Sequence, residues 1–259
     1  MSAAVSAADF KSGDKIIISS EVEENLYIAA QDIDIRAVIR GDLTVAAEIV
    51  SINDTVMEDL IVAASEVKIN AYIGDDVKIA SGELSVTDRV HGDLIVFTGK
   101  AQLYADAVIE GDLIVFGGEI TVEGKVEGNL KVYGGSVNLQ GSIGGEVEIK
   151  AGEVNIGSEV RGPATITAES IQLNEGAMFY SSVDYWQEAG ELDFGPYMQS
   201  GTATFNNALK VDGADSKYLG LGAIAFWVLI TLSVFLTVFV FLLLFGSSFS
   251  KAGELITAD

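Results

Sequence analysis

Hydrophobic positions recur along this chain with a period of 17. Starting at Val22, five positions repeat for nine rounds, and all 45 are Val, Ile, Leu or Ala. Each round opens on an aliphatic residue (Val22, Ile39, Val56, Ile73, Val90, Ile109, Val126, Ile143, Val160), and four more follow four, six, eleven and thirteen residues later. Pairs two residues apart, such as Leu113/Val115 and Ile120/Val122, point to one side of an extended strand, because successive side chains alternate faces. Between the pairs stand small or turn-forming residues, Gly117-Gly118 and Gly134-Gly135, or acidic-glycine corners such as Gly41-Asp42 and Gly111-Asp112, where the chain is expected to bend. Each round therefore reads as one coil of three short faces.

One such coil cannot bury its own apolar face, so successive coils must stack and share a core. The predicted fold is all-β, a parallel β-helix of about nine 17-residue coils, with aliphatic ladders inside worth ~1.5–3 kcal/mol per buried side chain. The single departure from the period is the step of 19 from Val90 to Ile109, where Tyr104-Ala105-Asp106-Ala107 carries two extra residues and predicts a swollen corner.

After the repeat the pattern changes. Between Lys217 and Lys251 there is no charged residue, and Ala223 to Phe245 is apolar except for Thr231, Ser233 and Thr237. A run of ~20 apolar residues spans the hydrocarbon layer as a helix, so residues 223–245 are expected to enter a lipid bilayer. The organisation read from these patterns is an N-terminal segment (1–15), the β-helix (16–177), an aromatic and polar cap or linker (178–217), a transmembrane segment (218–250) and a short tail (251–259). Flanking lysines do not orient the span, since Lys210 and Lys217 stand on one side and Lys251 on the other. Val5-Ser6-Ala7 resembles the small-residue stretch near a signal-peptide cleavage site. That leans the β-helix toward the extracytoplasmic side, whereas a genuine cytoplasmic start would place it inside.

Charge and composition narrow the function classes. A net charge of -23 repels nucleic acid and anionic headgroups, which argues against DNA or RNA as a partner. With no Cys there is neither a disulfide framework nor a thiolate metal site.

The repeat Val126 to Gly141, together with the Gly-Asp-Leu corners at Gly41-Asp42-Leu43, Gly92-Asp93-Leu94 and Gly111-Asp112-Leu113 and the Gly-Gly turns, resembles the bactofilins, or polymer-forming cytoskeletal proteins. The resemblance covers roughly Ile16 to Leu173. It implies a right-handed β-helix that assembles end to end into filaments without nucleotide, and the apolar C-terminus resembles a membrane-attached branch of that family. The expected assembly surfaces are the open terminal coils: Val22, Leu26, Ile28, Ile33 and Ile35 at one end, and Ile166, Ile171 and Leu173 at the other. Small bactofilins leave both ends nearly bare. Here residues 178–217 add Phe179, Tyr180, Tyr185, Trp186, Phe194, Tyr197 and Phe205, and a segment folded over the last coil would oppose end-to-end addition.

Two outward columns are candidates for chemistry. The fourth residue of each round forms a corner column containing Asp42, Asp59, Asp76, Asp93 and Asp112. Its carboxylates either decorate an edge with calcium or magnesium, which take oxygen ligands, or hold the corner by accepting backbone N–H bonds; the second reading is favoured. Phe97, Phe116 and Tyr133 each follow an inward aliphatic and should point outward, to serve as a lateral contact or to be covered by the segment around Tyr185 and Trp186, the latter being favoured. His91, the sole histidine, invites comparison with hexapeptide acyltransferases. The aliphatic steps are not six residues, however, and a general base needs positioned partners. The reading is non-enzymatic and cofactor-free: a membrane-anchored, self-associating scaffold. The alternative is a capped, monomeric surface β-helix that binds polysaccharide or divalent cations.

Overall fold

The computed structural model describes residues 9–210, and the expected transmembrane segment (223–245 within 218–250) and tail lie outside the described residues. Residues up to Lys210 form one compact unit. The unit is a parallel β-solenoid. Its main sheet has 12 strands, all paired in parallel, and each regular rung is a strand such as Leu113–Val122. Neighbouring rungs pair in the register that the period demands: Leu113 lies between Leu94 and Leu130, and Ile120 between Ala101 and Val137. A second, 6-stranded ladder of two-residue strands is continued toward the N-terminus by the single bridges Val22↔Ile39, Ile39↔Val56, Val56↔Ile73 and Ile73↔Val90. Of the repeating aliphatic positions, all but Val22 and Leu173 are buried.

In the ten-residue strands from Leu26–Ile35 to Val147–Ile156, the first, third, eighth and tenth positions are buried. The shift from odd to even means that the strand turns a corner in its middle while its backbone hydrogen bonds to the rungs on either side continue. The Gly-Gly pairs sit at this corner, and the positive φ values among the described glycines belong to Gly176, Gly190 and Gly201 only. Their role is close approach. A Cβ on Gly118 would stand 2.8 Å from the carbonyl oxygen of Gly99 one rung away. The expected swollen corner is present as a turn over Ala105-Asp106, closed by the Ala107 N–H on the Tyr104 carbonyl (2.9 Å), with Ala107 buried.

The solenoid is longer than nine coils, because one rung precedes the aliphatic repeat and two follow it. Asp9–Ile18 pairs with Leu26–Ile35, placing Ile16 and Ile18 in the ladders of Ile33 and Ile35. At the other end a second two-residue insertion, Asn174-Glu175-Gly176-Ala177, repeats the geometry of the first. Phe179 then joins the Val160 ladder, Val183–Trp186 joins Ala164–Thr167, and Ala203–Phe205 pairs with Val183–Tyr185. The boundary expected at 177/178 is therefore crossed by the sheet, as is the one at 15/16. With rungs ~4.8 Å apart, the stack is roughly 50–55 Å tall.

Candidate functional site

The corner column resolves into a backbone-holding ladder. Asn25 Oδ1 accepts the N–H of Asp42 (3.0 Å), Asp42 that of Asp59 (3.3 Å), Asp59 that of Asp76 (3.2 Å), Asp76 that of Asp93 (3.0 Å) and Asp93 that of Asp112 (2.8 Å). Asp112 then holds Asn129 (2.8 Å), and Asn129 holds Glu146 (2.8 Å). Glycine precedes Asp42, Asp93 and Asp112, where the chain passes close to the rung before: a Cβ on Gly92 would meet Asp76 Oδ1 at 2.6 Å, whereas Glu58 and Asp75 stand before Asp59 and Asp76. Repulsion along the column is relieved by Asn25 Nδ2 donating to Asp42 (2.8 Å) and by Lys78 donating to Asp76 (3.3 Å). The Asp93 N–H, more than Lys78, holds the Asp76 carboxyl below its ordinary value, against a partial opposing effect of burial. One oxygen of each of Asp42, Asp59, Asp76, Asp93 and Asp112 is thus committed to the backbone. Among the described residues, no group of three or more His, Cys, Asp or Glu side chains is arranged to hold a metal ion. His91 is exposed and contacts Glu110, which also binds Arg89; these two partners hold Glu110 below the usual carboxylate range.

The expected assembly ends are covered, which corrects their description as open coils. Leu26, Ile28, Ile33 and Ile35 are buried beneath Asp9–Ile18. In that rung, the first among the described residues, Asp9 and Lys11 occupy the ladders of Leu26 and Ile28 and pair with one another at 3.4 Å. Charged side chains at inward positions are a recognised way to blunt a sheet edge.

The far end is closed by a built cap. Ile166 and Ile171 are buried and Leu173 is half-buried. Tyr185 and Phe205 extend the Ile166 ladder, and Phe194 packs on both Tyr185 (4.6 Å between centroids) and Phe179 (5.5 Å). Edge polar groups are satisfied by side chains instead of another strand. The Ile171 N–H donates to Gln187 Oε1 (3.0 Å), and the Tyr197 hydroxyl donates to the Leu173 carbonyl (3.3 Å). Tyr185 OH both donates to the Leu192 carbonyl and accepts the Leu192 N–H (3.0 and 2.8 Å). The sequence signal for this cap was available: Phe179, Val183 and Tyr185 keep the steps of four and two, with aromatics standing where aliphatics had been.

Phe97, Phe116 and Tyr133 do face outward, half-buried, in one column. Their rings lie nearly parallel, 4.9 and 5.0 Å apart, and Lys150 Nζ lies 5.5 Å over the Tyr133 ring. The covering expected from Tyr185 and Trp186 does not occur. Tyr185 turns inward, and Trp186 pairs with Thr167, three rungs beyond Tyr133. Because the rings are stacked on one another, they present edges to solvent, so the flat faces on which sugar rings stack are occupied. The Tyr133 hydroxyl donates to Glu148 (3.0 Å); burial, then this bond, raises its pKa.

The strand segment past the corner carries a different surface. Thr121, Asn138, Asn155 and Gln172 form one outward column in register. The first three border an open depression of about 620 Å³ lined also by Glu119, Ser136, Gln140 and Asn174. Gln140 donates to Asn138 (2.7 Å), while Thr121, Asn155 and Asn174 make no side-chain hydrogen bond to another described residue. No signal in the aliphatic period pointed to this face. Comparison with family models, curated proteins and solved structures finds no match for this chain.

Proposed function

We propose that this chain is a non-enzymatic, membrane-anchored scaffold of the bactofilin type, a right-handed β-helix held at a bilayer by residues 223–245. The single observation that carries the reading is the combination of an uninterrupted aliphatic interior with deliberately closed ends. Such a body is a roughly 50–55 Å rod by rung spacing, with its ladders filled by buried aliphatic side chains. The lean toward an extracytoplasmic β-helix rests on Val5-Ser6-Ala7. End-to-end filament growth through Val22, Leu26, Ile28, Ile33 and Ile35, or through Ile166, Ile171 and Leu173, requires first displacing the Asp9–Ile18 rung or the aromatic cap. Self-association with both caps in place falls to the sides of the rod.

The anchor is tested by fractionating cells that carry the full chain or a chain lacking residues 218–250. The full chain is expected in membranes after a high-salt wash and the shortened one in the soluble fraction. Equal partitioning of the two would reject the anchor. Protease treatment of intact cells reads the side directly.

A second reading, a surface domain that binds a hydroxyl-rich polymer, is favoured by the depression around Thr121, Asn138, Asn155 and Asn174, because the side chains of Thr121, Asn155 and Asn174, without a hydrogen bond to another described residue, pair well with sugar hydroxyls. It moves the polysaccharide site away from the acidic and aromatic columns. Titration of oligosaccharides onto the full chain in detergent, with Asn138→Ala and Asn155→Ala beside it, tests this reading. Binding that both substitutions leave unchanged would refute that location.

A further inference from the structure

One outward face of the solenoid carries no acid over eight consecutive rungs, ending where Glu148 meets the Tyr133 hydroxyl. At the second, fourth and fifth positions of the eight strands from Asp9–Ile18 to Leu130–Leu139, the residues are aliphatic, aromatic, small or hydroxyl-bearing, with Lys78 and Lys131 the only charges. This is a chain with 38 acids, most of them necessarily outside. A contiguous apolar face on a soluble unit marks a docking surface, and a second copy meets less charge repulsion here than on its strongly acidic remainder.

The relief of the face selects the occupant. Its fourth-position column is small in one half (Ala46, Ala63, Ala80) and bulky in the other (Phe97, Phe116, Tyr133), in continuous register. We propose that two copies pack these faces together about a two-fold axis that lies in the contact plane along the strand direction, between the Ala80 and Phe97 rungs. The solenoid axes then run antiparallel. Each fourth-position residue faces a fourth-position residue: Phe97 lies over Ala80, Phe116 over Ala63 and Tyr133 over Ala46 of the other copy. Ring edges fill the shallow half of the partner, as close packing requires, and Ile114 meets Ile61 in the neighbouring column. A parallel arrangement would set ring against ring and leave a gap over the alanines. Ten rungs overlap in the antiparallel pair, the ninth of each copy setting the Glu148 and Lys150 ion pair over Tyr27 and Ala29 of the other. At ~4.8 Å per rung and ~3.3 Å per residue, the contact is roughly 600 Å² per copy, or about 1,200 Å² in all, above the ~1,000 Å² expected of a specific interface. Lys210 of the two copies lies at opposite ends of the pair.

This inference deepens the scaffold reading by naming the partner, and rests on it only for self-association; its test does not depend on the membrane anchor. Since the chain has no Cys, single cysteines report position without background. The full chain in detergent is treated with a short bis-maleimide after Ala80→Cys or Ala29→Cys substitution. Ala80 lies beside the two-fold axis, whereas the two Ala29 positions are seven rungs, roughly 34 Å, apart. The expected result is dimer cross-linking at least tenfold greater for Ala80→Cys than for Ala29→Cys, and its loss when Phe116→Glu is added. Phe116 points outward, so an unchanged circular dichroism spectrum for that variant separates loss of pairing from loss of fold. Comparable cross-linking at both positions, absence of cross-linking at both, or insensitivity to Phe116→Glu in a folded protein would each overturn the antiparallel pair. Membrane fractionation can still succeed in any of those cases, so the two readings fail separately.

Discussion

The nine regular rungs and the three outer ones obey the same register but opposite rules of composition. Between Leu26 and Leu173 the five repeating positions of each round are aliphatic without exception, with Thr98, Ser158 and Thr167 the buried polar residues at other positions. In the outer rungs the same ladders carry Asp9 and Lys11 at one end and Phe179, Tyr185 and Phe205 at the other. The middle is built to be continued, and the ends are built to stop. A repeat that could add copies of itself indefinitely is thereby made finite by a few residues that keep the backbone geometry while changing what it offers to the next strand.

The sharpest way to break the contrast is to place an end-type residue in the middle. Leu113→Asp buries an unpaired carboxylate at a fully buried position and is expected to cost more than about 4 kcal/mol; loss of the cooperative β-signal transition in thermal circular dichroism is the readout. Removing a cap residue should do less and act locally. Tyr185→Ala, at a side chain 3% exposed, is expected to cost about 3 kcal/mol. It should raise hydrogen exchange over residues 183–210 while Leu113–Val122 stays protected, because each rung of a solenoid is held mainly by its neighbours. Exchange rising evenly along the stack would show that the cap is not a separate unit.

The first end tests the other half of the comparison. Asp9→Leu with Lys11→Ile restores the aliphatic ladder there and removes an exposed ion pair worth less than about 1 kcal/mol. Stability should hardly change, yet light scattering should report concentration-dependent growth by end contact. The smallest effect is acidic. The Asp76 carboxyl is held below its ordinary value chiefly by the Asp93 N–H. A depressed folded-state pKa means that its contribution is fully present above the unfolded value near 3.8 and is lost as pH falls through the lower, folded one. Asp76→Asn keeps the acceptor oxygen, as Asn25 and Asn129 do in the same column. Its melting temperature should therefore fall less steeply than that of the unaltered chain below about pH 4, with little difference near neutrality. A larger fall in acid would contradict the ladder's role.

The middle was fully legible in the amino-acid sequence because its information is strictly periodic: 17-residue steps place Val115, Val132 and Ile149 in one ladder whatever lies between them. The swollen corner at Ala105-Asp106 was legible as a break in the same count. The outer rungs were not read, because what defines a cap is departure from the pattern. Asp9 and Lys11 look like ordinary surface charges until the register sets them under Leu26 and Ile28. Phe179 is hidden by a second two-residue insertion. The favoured role of Asp42, Asp59, Asp76, Asp93 and Asp112 as corner holders was within reach of local chemistry. The fate of Phe97, Phe116 and Tyr133 was not, since covering depends on where a distant segment goes, and Tyr185 turns into the core. The amide face around Asn138 and Asn155 keeps the 17-residue step, but on outward positions that the aliphatic count does not follow.

The central claim, a finite solenoid closed at both ends, is tested most directly by electron microscopy of the full chain in detergent. Discrete particles with a β-solenoid body roughly 50–55 Å long by the ~4.8 Å rung spacing, single or paired side by side, are the predicted result. Continuous filaments in which the ~4.8 Å rung repeat runs unbroken from one chain into the next would contradict it.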